Sequence, residues 1–309
     1  MTGDLAPRVV VVGVSPCIDR YGWFDSFELG VPNRPRRVEA RPGGKAMNAA
    51  RVLRALGVAV TVVAPLDRAE WAWWVKQSAE EGIELVPTPA VGLVRMTMTC
   101  IDEVAGRATE IYEPNTAMPL DEWRGVAEAV THALAGAEPP LAVAVSGSRP
   151  AADGGALASI VERCQLADVP VYVDGYGSPV LGALAARPTV LKVNLDEARR
   201  LLGGGADLDP PGAAEALVAA GPRIAVVTAG ARGGACFDGK QHYRIAPPNH
   251  PAPFPGGSGD AFLAGLIAAR VVGRPLEIAL EYARHCGEAN ATSPYAGWVP
   301  PDLGPVAPS

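Results

Sequence analysis

The sequence predicts an α/β protein whose mostly parallel sheet is covered by helices on both faces. Short apolar runs recur along the chain: RVVVVGV, AVTVVAP, LAVAVSGS, VPVYVDG, TVLKVN and RIAVVTAG. They are continuous rather than alternating, as strands buried on both sides are. Helical patterns lie between them, and strands that alternate with helices build parallel sheets. Ligands of such sheets sit beyond the carboxyl ends of the strands.

In chain order, the first apolar run starts at Val9 and stops at Gly13. It follows no charged leader and is short, so it reads as a strand rather than a signal peptide. Residues 18–41 are mixed and rich in aromatics, with no clear helix. Asn48 then stands just ahead of a helical stretch, NAARVLRAL, that puts Ala49, Val52, Leu53 and Leu56 on one face before a stop at Gly57. Trp71 and Trp74 share a helical face and read as packing. Residues 93–112 alternate and turn at AGR, the mark of a hairpin. Together, residues of about 15–41 and 93–113 are expected to form a small antiparallel sheet, a candidate lid that excludes water from a cleft. DEARRLL and DAFLAGLIAARVVG supply later helices.

The 309 residues, 49% of them hydrophobic, suffice for a large core in one domain, with or without an insertion. A net charge of -6 gives no general attraction to nucleic acid or to a membrane surface. No apolar run reaches spanning length. Cys17, Cys100, Cys164, Cys236 and Cys286 are scattered and form no CxxC pair, so reduced thiols in a cytoplasmic protein are expected. The four histidines show no catalytic or metal-ligand spacing.

Chemistry concentrates in FPGGSGDAFLAGL, residues 254–266. A helix start presents unpaired N–H groups and partial positive charge. Gly256, Gly257 and Gly259 let that backbone approach an anion closely. Asp260 stands in the first turn, either as an ordinary N-cap or as the base that takes a proton from an attacking hydroxyl. The stretch is neither a Walker A loop nor GxGxxG after a strand. A second glycine stretch, RPGGKAMNAARVLRALG, and an earlier SPCID complete a pattern.

That pattern resembles the ribokinase/PfkB family of carbohydrate kinases, most closely its 1-phosphofructokinase and tagatose-6-phosphate kinase branch. SPCIDR (15–20) resembles NPAID, GVPNR (30–34) resembles GEVNR, and residues 41–57 resemble PGGKGINVARVLKRLG. RMTMTCID (95–102) and TEIYEP (109–114) match substrate-side lid strands. VSGSRP (145–150), LKVNLDEARRLLG (191–203), VVTAGARGG (226–234) and PGGSGDAFLAGL (255–266) follow in the family's order. The resemblance implies a Rossmann-like three-layer α/β/α ribokinase-like fold, a single kinase domain over residues 1–309, with a small β-sheet lid through which a homodimer forms. It implies transfer of the ATP γ-phosphoryl group, with Mg2+, to a hydroxyl of a sugar or sugar phosphate.

Carried over residue by residue, the resemblance makes Asp260 the catalytic base and Gly257, Ser258 and Gly259 its anion hole. Asp19 would bind sugar hydroxyls, with Gly43, Gly44 and Asn48 in the sugar-contacting loop. Lys45 and Arg95 would meet a substrate phosphate, helped by Arg34 or Arg149; a solvated surface position is the competing reading for Arg34. Lys192, Asn194, Thr228, Gly230 and Gly233 would face ATP, and Asn194 with Glu197 would orient Mg2+ through water. A plain helix cap with a solvated glutamate competes at Asn194 and Glu197, and a simple hairpin turn competes at Thr228–Gly233. The chain departs from the family at Ala46, Arg149, Val193, Pro255, Gly256 and Ser258, largely around the site. A kinase for an unphosphorylated sugar or nucleoside, or a non-catalytic binding homologue, are the rival readings.

Overall fold

Four consecutive valines set the centre of the structure. Strand β1 (Arg8–Gly13) carries Val9, Val10, Val11 and Val12, all fully buried. Side chains alternate across a strand, so Val9 and Val11 enter one core while Val10 and Val12 enter another. A computed structural model describes residues 6–147, 149, 155–204, 208–250 and 252–304.

Among the described residues, nine strands form the main sheet, in the order β13-β12-β11-β10-β9-β8-β1-β4-β5. The six apolar runs become β1, β4 (Ala59–Asp67), β8 (Ala142–Ser146), β9 (Val171–Asp174), β10 (Val190–Asn194) and β11 (Ile224–Thr228), all parallel. The edge strands β5 (Glu84–Ala90) and β13 (His242–Ile245), and β12 (Gly234–Phe237) between β11 and β13, are not among the apolar runs of the sequence. β5 carries Pro87 and Pro89, which an edge tolerates. On one face lie α1 (Lys45–Ala55), α2 (Trp71–Glu80), α8 (Ser258–Val271) and α9 (Leu276–Asn290). On the other lie α3 (Leu120–Leu134), α4 (Gly155–Leu166), α5 (Ser178–Ala185), α6 (Leu195–Leu201) and α7 (Pro210–Ala220). The structure thus has the three layers that the sequence predicts. Trp74 and Trp123 are core residues.

A second sheet of four strands, β3-β2-β6-β7, stands apart from the first. It comprises β2 (Cys17–Phe24), β3 (Arg37–Gly43), β6 (Arg95–Asp102) and β7 (Arg107–Tyr112). One expectation needs correction: the sheet is mixed, not antiparallel. Its outer pairs run antiparallel, but β2 and β6 are parallel. The reason is connectivity, since β2 follows β1 and β6 follows β5, and the two enter from the same side.

The start of α1 is a second correction. The helix begins at Lys45, so Asn48 sits within its first turn rather than ahead of it. Gly44, with φ 93°, turns the chain into the helix. Ala46 is helical and buried, and a Cβ at Gly13 would lie 2.8 Å from its own Cβ. The Ala46 methyl therefore packs against the end of β1 at Gly13.

Candidate active site

At the carboxyl edge of the sheet Ser146 pairs with Asp174 and Asp174 with Lys192, and two residues further along β10 Asn194 pairs with Thr228. Above them the two glycine-led helices α1 and α8 converge, and the small sheet closes the far wall. The resulting cavity of about 510 Å³ is lined by residues of both sheets and both helix starts.

Gly257 caps α8 in the left-handed conformation, φ 78°. Asp260 therefore is not the N-cap; it lies in the first turn with its carboxylate free for another task. Asn48 Nδ2 donates to Asp260 Oδ2 at 2.8 Å. The carboxyl is buried, and burial pushes its pKa up to about 6, with Asp174 raising it and Lys45, Asn48 and Lys192 opposing. A carboxylate with a raised pKa is a better proton acceptor near neutral pH.

Asp174, at the end of β9, is a residue that the sequence reading left unassigned. Its Oδ1 accepts from Lys45 Nζ at 3.1 Å and its Oδ2 from Lys192 Nζ at 2.9 Å. Burial opposes its charge, yet the two ammonium groups hold its carboxyl below the usual range. Burial likewise disfavours the Lys45 ammonium, and Asp174, Asp260 and Glu197 more than compensate. A Cβ at Gly259 would lie 3.1 Å from Lys192 Nζ, so this cation rests beneath the start of α8.

On the opposite wall, Asp19 Oδ1 accepts from Thr97 Oγ1 at 2.7 Å and from Cys17 Sγ at 3.0 Å. Burial and Asp19 push the Cys17 thiol up, which keeps it a donor. Gly43 lies across from Cys17, and the Asp19 side chain folds over it, so that a Cβ there would collide with the carboxylate. Gly43 thus supports Asp19 without lining the cavity itself. Arg95, opposite Cys17 on β6, lines the cavity, and its buried Nε has no protein partner. Glu110 of β7 reaches across to Gly256, where an added Cβ would have to displace its carboxylate.

Asn194 and Glu197 line the cavity and form a capping box: Glu197 N–H donates to Asn194 Oδ1 and Asn194 N–H to Glu197 Oε2, each at 2.9 Å. The cap and the cleft position coexist, and Glu197 is buried rather than solvated. Thr228 and Gly230 also line the cavity.

Several sequence candidates are not gathered here. Arg34 is exposed in the β2–β3 connection, away from the cavity lining. Gly233 closes the turn before β12 and packs on the backbone of residues 245–247. Arg149 is tied to Glu122 at 3.3 Å and to the Thr116 carbonyl at 2.9 Å, facing a neighbouring cavity that also touches Arg95. Ser148 and Pro150 of the VSGSRP motif lie outside the described residues. The structure adds Asn290, fully buried, which donates to the Gly256 carbonyl at 2.7 Å and accepts from the Gly297 N–H at 2.8 Å. A lone asparagine late in a helix carries no sequence signal of that kind.

A family model described as pfkB family carbohydrate kinase matches residues 6–302. The chain belongs to the pfkB family. Membership makes it a kinase, a phosphotransferase acting on a hydroxyl. A curated relative, 1-phosphofructokinase of Rhodobacter capsulatus, is 30% identical over 277 residues, covering 87% of this chain and 85% of the relative. It bears the name of the branch to which the motifs point. Among solved structures, phosphofructokinase-2 from Escherichia coli in complex with potassium is 20% identical with a TM-score of 0.86, covering 96% of each chain. A possible 1-phosphofructokinase from Thermotoga maritima is 20% identical with a TM-score of 0.78, covering 94% of each chain. At these identities the structural likeness concerns the fold, and this pfkB kinase shares it.

Proposed function

We propose that this pfkB kinase transfers the γ-phosphoryl group of ATP to a hydroxyl of a phosphorylated ketose, as a 1-phosphofructokinase-like enzyme. The observation that carries this reading is the placement of Asp260. It is a buried carboxylate at a glycine-capped helix start, hydrogen-bonded to neutral Asn48, in a cavity that also holds Asp19 and Arg95. Both hydrogen bonds to Asp19 meet Oδ1, so Oδ2 suits a sugar hydroxyl. The unpartnered Arg95 Nε favours a substrate that carries a phosphate.

In this mechanism Asp19 and Asn48 hold the sugar. Asp260 takes the proton of the attacking hydroxyl. The start of α8, from Gly257 to Gly259, faces the charge on the moving phosphoryl group, where helix-end N–H groups favour an anion. Lys45 and Lys192 add positive charge at the same place. Among the described residues no cluster of His, Cys, Asp or Glu could hold a metal alone. Glu197 and Asn194 still suit Mg2+, which keeps several waters and takes phosphate oxygens as ligands. Mg2+ would neutralise phosphate charge during transfer.

The test is ADP release with Mg-ATP across fructose 1-phosphate, fructose 6-phosphate, tagatose 6-phosphate, free fructose, ribose and nucleosides. Turnover is expected with one phosphorylated ketose and not with its free sugar. Preference for a free sugar or nucleoside would replace the substrate, and binding without ADP release would support a non-catalytic homologue.

The second sheet supports a lid and a homodimer. On its face away from the cavity Ile18 pairs with Met96, and Met98 lies between Arg20 and Ile111, with Ile111 54% exposed. A largely apolar sheet face of this kind suits a second copy of the chain. Ile111→Arg is expected to convert a dimer into monomers in light scattering; a wild-type monomer would discard the reading. Five buried free cysteines suit a reducing cytoplasm. Among the described residues no helix is long and apolar enough to cross a membrane.

A further inference from the structure

We infer that Asp174 is a positioning residue: it anchors the Lys45 and Lys192 ammonium groups beside the path of phosphoryl transfer and keeps both from pairing with Asp260. The inference rests on the kinase reading above and extends it to a residue with no assigned role.

Three geometric facts support it. Asp174 and Lys192 are direct neighbours across the parallel β9–β10 pair, so the sheet itself sets their 2.9 Å contact. Lys45 arrives from the opposite direction, as the first residue of α1, and takes the other carboxylate oxygen. Asp174 is 1% exposed, and its two oxygens are taken by the two cations, Lys192 buried and Lys45 partly exposed. One carboxylate therefore gathers two cations, one from the sugar-side loop and one from the nucleotide-side strand.

The charged groups around Asp260 show why this matters. Lys45 on α1, Asp174 on β9 and Lys192 on β10 face it, with Asn48 as its hydrogen-bond donor and Glu197 on α6 facing Lys45. Two ammonium groups beside one buried carboxylate would normally form an ion pair with it, and a paired base is a poor one. Asp174 supplies the competing carboxylate. Among the described residues Asp260 then keeps a neutral hydrogen-bond partner, Asn48, and both cations stay available to an anion at the start of α8.

The deciding variant is Asp174→Asn, which keeps the shape and removes the charge. Turnover is expected to fall by about 10²-fold, the effect of misplacing groups by an ångström. The acidic limb of kcat/KM is expected to move to lower pH, because a like charge that raises Asp260 is gone and the lysines are free to approach it. A merely structural role would lower stability or turnover and leave the limb in place, which would overturn the inference. The Asp260 carboxyl titration, followed by carbon NMR in labelled protein without substrate, reads the same shift independently of activity. A silent substrate panel with a shifted titration would thus defeat the kinase reading alone, and an unshifted titration would defeat this one alone. Should Asp174→Asn not fold, Asp174→Glu serves: charge retained and limb unmoved, but turnover reduced as the ammonium groups are displaced. Wild-type turnover in Asp174→Glu would overturn the inference.

Discussion

Asp260→Asn is expected to lower kcat by about 10²- to 10⁴-fold, the usual contribution of a general base, with little change in ATP affinity. The amide keeps the volume, so the fold and the start of α8 should survive. What is lost is the carboxylate that accepts from Asn48. The pH dependence follows from the same group. Burial raises the Asp260 pKa to about 6, and the base works only when deprotonated, so kcat/KM should fall as pH drops through that value. The variant should lose this acidic limb along with its rate. Steady-state ADP release from pH 5 to 9 and nucleotide binding by calorimetry check both halves. Unchanged turnover would remove Asp260 from the mechanism.

Gly257→Ala is expected to be nearly as damaging, by a different route. At φ 78° an alanine costs about 1–2 kcal/mol of backbone strain. The added Cβ would also lie 2.8 Å from Ala296 Cβ and 2.9 Å from its Cα, closer than real contacts allow. The loop before α8 or the 296–297 turn must then shift. A shift near an ångström costs about 10²-fold in rate. The expected signature is a lower Tm together with a lower kcat, measured by thermal melting and ADP release. An alanine variant with wild-type kcat would show that this backbone does not position the phosphoryl group.

The parallel body was legible because burial on both faces demands continuous apolar strands, and six runs supply them. Edge strands escape that logic: β13 reads HYRI and β5 contains two prolines, since only one side of each is packed. The candidate site was legible where backbone chemistry leaves a trace, as at Gly44 and Gly257, whose positive φ turns the chain into α1 and α8 at the cavity wall. It was not legible where distance in space decides. Asp174 looks like any strand-end aspartate until Lys45, 129 residues away, lands on it. Arg34 shows the converse, a basic residue in a suggestive motif that the β2–β3 connection carries away from the cavity. The small sheet was misjudged only in strand direction, because local patterning cannot reveal that β2 and β6 arrive from the same side.

The turn that follows α9 grips both halves of the cleft. Tyr295 packs on Tyr21 and Trp23 of β2, Arg41 of β3 donates to the Ala296 carbonyl at 2.6 Å, and Asn290 ties the same turn to the Gly256 carbonyl. The small sheet and the start of α8 are therefore parts of one mechanical linkage. A sugar too large for the cavity is expected to lift the sheet and, through the linkage, to displace the start of α8. Such a sugar is expected to be penalised twice, in KM through its fit and in kcat through the displaced helix start, so that discrimination among sugars exceeds what contact with the sugar alone would provide.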